Sequence, residues 1–207
     1  MPIDPDAALL AERSSFHDTL LTLTDEEWDT ASLCDGWRIR DVASHAVLLI
    51  DLKISTALMG ILRHRGDYDA WMKGYAVELG NRPVAQILDS AKRNAASTKQ
   101  PPAARPAQSA IDVFVHHHDV LLPLDREVPS DPDRLRWMAD GVVAIGRPIG
   151  WGTRVKDLRL IATDIDWHYG TGPEIHGPAA AIIMAACGRD ELRHQLDGDG
   201  VAELQRR

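Results

Sequence analysis

Apolar residues recur at intervals of three and four through roughly the first 125 positions, and the elements this predicts are helices. In DAALLAERSSFHDTLLTL, Leu9, Phe16, Leu20 and Leu23 fall near helical spacing. Thr24 with Glu27 three residues later forms a capping-box pattern for the next helix start. After a turn at Gly36, the stripe Val42, Ala46, Leu49 and Leu52 in LCDGWRIRDVASHAVLLIDLKISTALMGIL predicts one long core helix. NRPVAQILDSAKRNAAS opens with Asn81 as a cap and Pro83 near the first helical position. QPPAARP then interrupts the chain, and AQSAIDVFVHHHDVLL predicts a fourth helix. Helices separated by breakers suit an antiparallel four-helix bundle.

The pattern changes after about residue 130. DPDRLRWMADGVVAI predicts a further helix, capped by Asp131 with Pro132 at its first position, and Gly146, Pro148, Gly150 and Gly152 crowd into a linker. KDLRLIATDIDWHYG alternates and is rich in β-branched residues, as a strand or hairpin is, and TGPEIHG makes a second short extended piece. PAAAIIMAACGRDELRHQL returns to helix with an interruption at Gly188. The fold class expected is therefore mainly α: an up-down four-helix bundle over residues 1–150, then a small α+β domain over 151–207, which would be marginal alone and is expected to pack on the bundle.

Composition narrows the function classes. The chain is 44% apolar and 26% charged with a formal net charge of −8, and it has no dense Lys/Arg cluster, which argues against nucleic acid or an anionic membrane as partner. MPIDPDAALL carries acids where a signal peptide needs positive charge, and no apolar run reaches membrane-spanning length, so a cytoplasmic location is expected. Cys34 and Cys187 are far apart and outside any CxxC spacing; neither a disulfide framework nor a thiolate zinc site is indicated, and Cys34 reads more simply as a packing residue than as a nucleophile.

The chemistry concentrates in IDVFVHHHDV, residues 111–120. On a helix at ~100° per residue, Asp112 and His116 share one stripe with Asp119 close to it, while His117 and His118 turn progressively away. One ion cannot take all three histidines, but Asp112 and His116 are spaced as a chelating pair. A third ligand must come from another helix, and His45 in DVASHAVLL is the candidate. Two imidazoles and a carboxylate suit Zn2+ or a similar divalent ion and leave a coordination position open, as catalytic sites do. The alternatives are ordinary: His45 as a hydrogen-bonded core residue, Asp112 and His116 as a buried ion pair, His117 and His118 solvated or at a helix–helix edge. Asp119 reads as an acceptor for His116 or His117, or as a helix-end charge.

With these residues in view, LCDGWRIRDVASHAVLL resembles the start of the metal-binding helix of the mycothiol-dependent maleylpyruvate isomerase family, within the wider DinB/YfiT-like bundles. DVFVHHHDVLLPL is similar to the family's second motif, and LRLIATDIDWHYGTGPEIHGPAAAIIMAACGRD with LDGDGVAEL to the C-terminal domain fused to that bundle. The resemblance covers the chain in order. It implies His45, Asp112 and His116 as metal ligands, the three that helix geometry selects. Two positions depart from it: relatives often have Glu where Asp112 stands, which shortens one ligand by a methylene, and Arg38 replaces a helix-capping Ser or Thr, leaving Asp35 as the expected cap.

The resemblance further implies mycothiol as a thiol cosubstrate. In the isomerases the metal activates this thiol, the thiolate adds to the cis double bond of a maleyl group, the new single bond rotates, and elimination gives the trans isomer. Such chemistry asks for a cation to hold substrate carboxylates, and Arg189 in the CGRD segment is the candidate catalytic residue, with Trp37 and Trp167 as candidate lining of the cleft. The function implied is a metal- and thiol-dependent isomerase or S-transferase acting on a small electrophilic acid, as a monomer or homodimer. Two alternatives stand beside it: a hydrolase or detoxifying enzyme using zinc-activated water without a thiol, and a non-enzymatic metal-binding or ligand-carrier module.

Overall fold

The structure is a computed structural model describing residues 3–48, 52–100, 104–146 and 149–206. It is mainly helical, with a small three-stranded sheet near the C-terminus. The chain forms two compact units, one of residues 6–129 and one that joins the described N-terminal residues up to Pro5 to residues from 130 onward. The helix Pro132–Ala144 packs on the helix Ala179–Ala186.

In the first unit lie α1 (Pro5–Leu20), α2 (Asp25–Trp28), α3 (Ile39–Leu48), α4 (Ile54–Arg63), α5 (Tyr68–Gly80), α6 (Val84–Ala95) and α7 (Pro106–Leu121). Its core joins four of them: Phe16 and Leu20 from α1, Val42 and Ala46 from α3, Ile87 and Ala91 from α6, Val113 and Val120 from α7. The capping box at Thr24 and Glu27 is formed as the spacing predicts.

Three expectations are corrected here. The helix expected to run without a break through 38–62 is two helices, with residues 52 and 53 outside both and Lys53 extended at φ −73, ψ 135; Leu49 lies outside the described residues. α5 was not anticipated, since YDAWMKGYAVELG shows no clean apolar stripe and carries two glycines. Asn81 closes α5, and Pro83, at φ −53 and ψ 135, occupies the cap position of α6.

α3 and α5 approach closely because Gly80 has no side chain. A Cβ there would stand 2.0 Å from Asp41 Oδ1 and 2.9 Å from Asp41 Cα. Asp41 is buried and accepts the Arg38 backbone N–H at 2.9 Å, so Asp41, not Asp35, satisfies the start of α3. Asp35 is fully exposed and pairs with Lys73 at 3.0 Å. The Arg38 guanidinium grips Asp41 through two nitrogens and also reaches Asp29 and Asn81, and the Asp41 hydrogen bond chiefly raises its pKa against the effect of burial.

The second unit contains α8 (Pro132–Ala144), α9 (Trp151–Arg154), β1 (Arg159–Ala162), β2 (His168–Tyr169), β3 (Glu174–Gly177), α10 (Ala179–Ala186) and α11 (Gly200–Leu204). Asp131 caps α8 with Pro132 behind it, as expected. β1 is central, antiparallel to β2 with Leu160 opposite Tyr169, and parallel to β3 with Leu160 opposite Ile175. Met138, Leu160, Ile175 and Ile182 bury this unit's core, and Trp167 donates its indole N–H to Asp140 at 2.8 Å. Among the described residues no helix is long and apolar enough to cross a membrane.

Candidate metal centre

α7 carries the centre. It starts where Pro106 sits in the first turn behind an extended Arg105, and it stops at the Leu122–Leu124 turn, where Pro123 breaks the pattern and Asp125 takes a left-handed φ of 53. Over this helix Asp112 and His116 are one turn apart, with His116 Nε2 3.8 Å from Asp112 Oδ1. His45, in the last turn of α3, lays its ring edge-on to His116 with centroids 4.8 Å apart. One donor atom from each of His45, Asp112 and His116 lies within 4.8 Å of the others. A tetrahedral shell at Zn–N and Zn–O distances of 2.0–2.2 Å puts neighbouring donors about 3.3 Å apart, so drawing this set onto an ion needs shifts of about 1 Å or less. The residues fit a divalent cation.

The environment of each donor is distinct. His116 is buried, whereas the Asp112 side chain is half exposed, so the donor set is open on the carboxylate side. His116 Nδ1 donates to Asp119 Oδ2 at 2.9 Å, and Asp119 is fully buried. This fixes which ring nitrogen turns toward Asp112 and settles Asp119 as the partner of His116, the role a carboxylate plays behind a metal-binding imidazole. Burial opposes charge on His116, but the hydrogen bond to Asp119, the nearby Cys34 and the charges of Asp112 and Asp119 outweigh it, and the imidazolium pKa is pushed up to about 10. Trp37 stands 5.2 Å from the His45 ring and is held by its indole N–H to the Lys73 carbonyl at 3.2 Å. The Asp112 charge also reaches Arg13 on α1, whose pKa burial lowers, and Tyr68 on α5, whose phenol is raised first by burial and then by Asp112. Arg13 is buried, and its guanidinium takes the carbonyls of Ser97 and Lys99.

His117 and His118 are not solvated; both are buried, and His117 meets a second helix, the other alternative the sequence left open. His117 sits in the α1 face, Nε2 2.7 Å from Thr19 Oγ1 and its ring edge-on to Phe16. His118 turns Nδ1 back to the Phe114 carbonyl at 2.8 Å. Neither joins the donor set.

Sequence reasoning missed Cys34. A turn tied by Ser32 Oγ to the Trp37 carbonyl at 2.9 Å, with Gly36 at φ +76, presents the Cys34 thiol to Asp119 Oδ2 at 3.1 Å. Residues 85 positions apart in the chain meet there, and no local spacing could signal it. Arg189 lies in the second unit. α10 ends in a Schellman turn: Gly188 takes φ +84 and donates to the Ala185 carbonyl at 3.1 Å, while the Arg189 N–H closes on Met184 at 2.9 Å. Trp167 is in the same unit, 5% exposed, and reads as a core anchor.

The helices that carry these residues fall within a known family. The family model described as the mycothiol maleylpyruvate isomerase N-terminal domain matches residues 9–154. The chain belongs to that family. Its fold is also that of the crystal structure of the mycothiol-dependent maleylpyruvate isomerase, with a TM-score of 0.56 at 11% identity over 94% of this chain and 91% of that one. A second crystal structure, of a histidine-to-alanine mutant of that enzyme, gives a TM-score of 0.57 at 13% identity over the same shares. Among curated proteins none matches the chain. The family therefore includes an isomerase, and its two-part architecture, bundle followed by a small sheet-containing unit, is the architecture found here.

Proposed function

We propose that this member of the maleylpyruvate isomerase family is a metal-dependent enzyme that uses mycothiol, isomerising a small electrophilic acid or transferring the thiol to it. The observation that supports this best is the convergence of His45, Asp112 and His116 from two helices onto one small volume, with Asp119 orienting the most buried of the three. A divalent ion held there, most simply Zn2+, would lower the pKa of a thiol brought to it by units and so supply thiolate at neutral pH.

The chain's own residues set the rest. Asp119 keeps the His116 Nε2 lone pair directed at the donor set by holding the proton on Nδ1. His45 is steadied by packing against the Trp37 and His116 rings. The exposed edge of Asp112 is the side from which a small ligand can approach. Arg189 is the proposed cation for a substrate carboxylate, since a guanidinium binds carboxylates through two nitrogens.

The test is turnover of maleylpyruvate by the purified protein with and without mycothiol. The reading expects isomerisation or conjugation that requires the thiol, falls at least 100-fold in His45→Ala, and shows a raised KM in Arg189→Lys. Turnover that persists without any thiol would transfer the proposal to metal-dependent hydrolysis. Thiol and substrate binding with no turnover in any condition would leave a carrier.

A further inference from the structure

His116 has two ring nitrogens, and the structure gives each its own set of neighbours. Nε2 stands 3.8 Å from Asp112 Oδ1, and the His45 ring packs edge-on to the His116 ring. Nδ1 faces Asp119, whose Oδ2 also accepts from the Cys34 thiol, and donor atoms of Cys34, His116 and Asp119 again lie within 4.8 Å of one another. We infer that Cys34, Asp119 and the Nδ1 side of His116 form a second metal site, selective for a thiophilic divalent ion, and that it cannot be filled together with the His45/Asp112/His116 site.

The spacing, the charge and the donor type each support it. The Nδ1–Oδ2 and Sγ–Oδ2 separations are 2.9 and 3.1 Å. Donors on a tetrahedral zinc stand about 3.3–3.6 Å apart when one of them is sulfur at 2.3 Å, so an ion replacing the two bridging protons would spread this set by about half an ångström. A thiolate and a carboxylate cancel a divalent charge, which matters where Asp119 is fully buried and His116 is 7% exposed. The other set offers one carboxylate only. Sulfur gives preference to soft ions such as Cd2+ over Mg2+ or Mn2+. The turn that carries Cys34 is not loose: the Leu33 N–H donates to the Asp119 carbonyl at 3.2 Å, the Ser32 N–H to Trp37 at 2.9 Å, and the Trp37 N–H to Cys34 at 2.9 Å.

Exclusion follows from the ring itself. On binding, the thiol proton and the Nδ1 proton leave to solvent, the thiolate, carboxylate and Nδ1 lone pairs go to the ion, and Nε2 keeps its proton. A neutral imidazole has one lone-pair nitrogen, so His116 bound through Nδ1 has none to give on the other side. The inference uses the shared ring but not the thiol chemistry proposed above, and it holds whether or not the protein turns over maleylpyruvate.

The experiment is a cadmium chloride titration of the full chain, chelator-washed, followed by the ultraviolet thiolate-to-cadmium charge-transfer absorption and by cadmium content. The expected result is a band that saturates at one cadmium per chain in the wild type, in Cys187→Ser and in His45→Ala, and that is lost in Cys34→Ser. Bound cadmium should also slow maleimide labelling of Cys34, and not of Cys187, at least tenfold in the unmodified protein, a readout that does not depend on any variant folding. No band in the wild type, a band that survives in Cys34→Ser, or no protection of Cys34 would overturn the site. Two cadmium ions per chain would overturn the exclusion. Loss of metal in His45→Ala by other ions, with the cadmium band intact, would separate the two sites.

Discussion

Acid should unfold the bundle from within α7, and His117 is the group responsible. Its ring is fully buried between Thr19 and Phe16, and burial, with a smaller effect from His118, pushes its pKa down to about 3. In the unfolded chain an imidazole titrates near 6.5. Between those values the unfolded state binds a proton that the native state refuses, so the contribution is fully present above about 6.5 and is lost as pH falls toward 3. The slope for one such group is about 1.4 kcal/mol per pH unit, and the full span of about 3.5 units amounts to about 5 kcal/mol at most, comparable with the whole stability of many domains. His118, also lowered chiefly by burial, adds in the same direction. His116 works oppositely in the metal-free protein. Its folded pKa of about 10 gives a contribution fully present below about 6.5 and lost as pH rises toward 10. Stability of the chelator-treated protein should therefore peak at about pH 6–7 and decline on both sides. Urea unfolding across about pH 4–9, read by circular dichroism, measures this, with His117→Gln as the comparison because an amide can keep a hydrogen bond to Thr19. The variant should lose about 1.4 kcal/mol per pH unit of acid slope while retaining the alkaline decline. An acid limb equally steep in wild type and variant would refute the assignment to His117.

Asp119→Asn keeps the shape of the residue but removes the charge that holds the His116 proton on Nδ1; the affinity for zinc, measured by competition with a chromophoric chelator, should fall by about 10–100-fold while the thermal midpoint of the loaded protein stays within a few degrees. Gly80→Ala places a methyl group onto Asp41, including its backbone, and should cost at least about 1–3 kcal/mol in chemical unfolding. An unchanged midpoint would show that α3 and α5 do not meet as closely as described.

The proximity of the three proposed metal donors could be anticipated from the sequence for a reason that does not extend to their surroundings. Asp112 and His116 are four apart on one helix, and this local geometry leaves His45, set among apolar residues, as the natural third. What lies behind the donors depends on which helix faces which. His117 and His118 point away from the Asp112 stripe, but away from that stripe meant toward α1 and the core, not toward water, because α7 is covered on several sides. The Cys34–Asp119 contact is made by a turn folding back over most of the bundle's length in sequence, and only packing creates it. The break before α4 and the helix α5 were missed because apolar periodicity continues across the first and is weak in the second. Arg38 read only as the loss of a capping Ser or Thr, yet it is the hub that ties Asp29, Asp41 and Asn81 at the start of α3. The β1–β2 hairpin and an extended β3 were legible because alternation and turn residues are local signals, whereas the parallel pairing of β3 with β1 is set by packing that no local signal carries.

The most direct test of the central reading is the metal content of the untagged, chelator-washed protein after exposure to zinc, with His45→Ala treated alongside and both checked for folding by circular dichroism. The account predicts about one bound zinc per chain in the wild type and a loss of affinity of at least 100-fold in the variant, since one of three protein ligands is gone. Zinc absent from both, or held equally by both, would contradict a centre built from His45, Asp112 and His116.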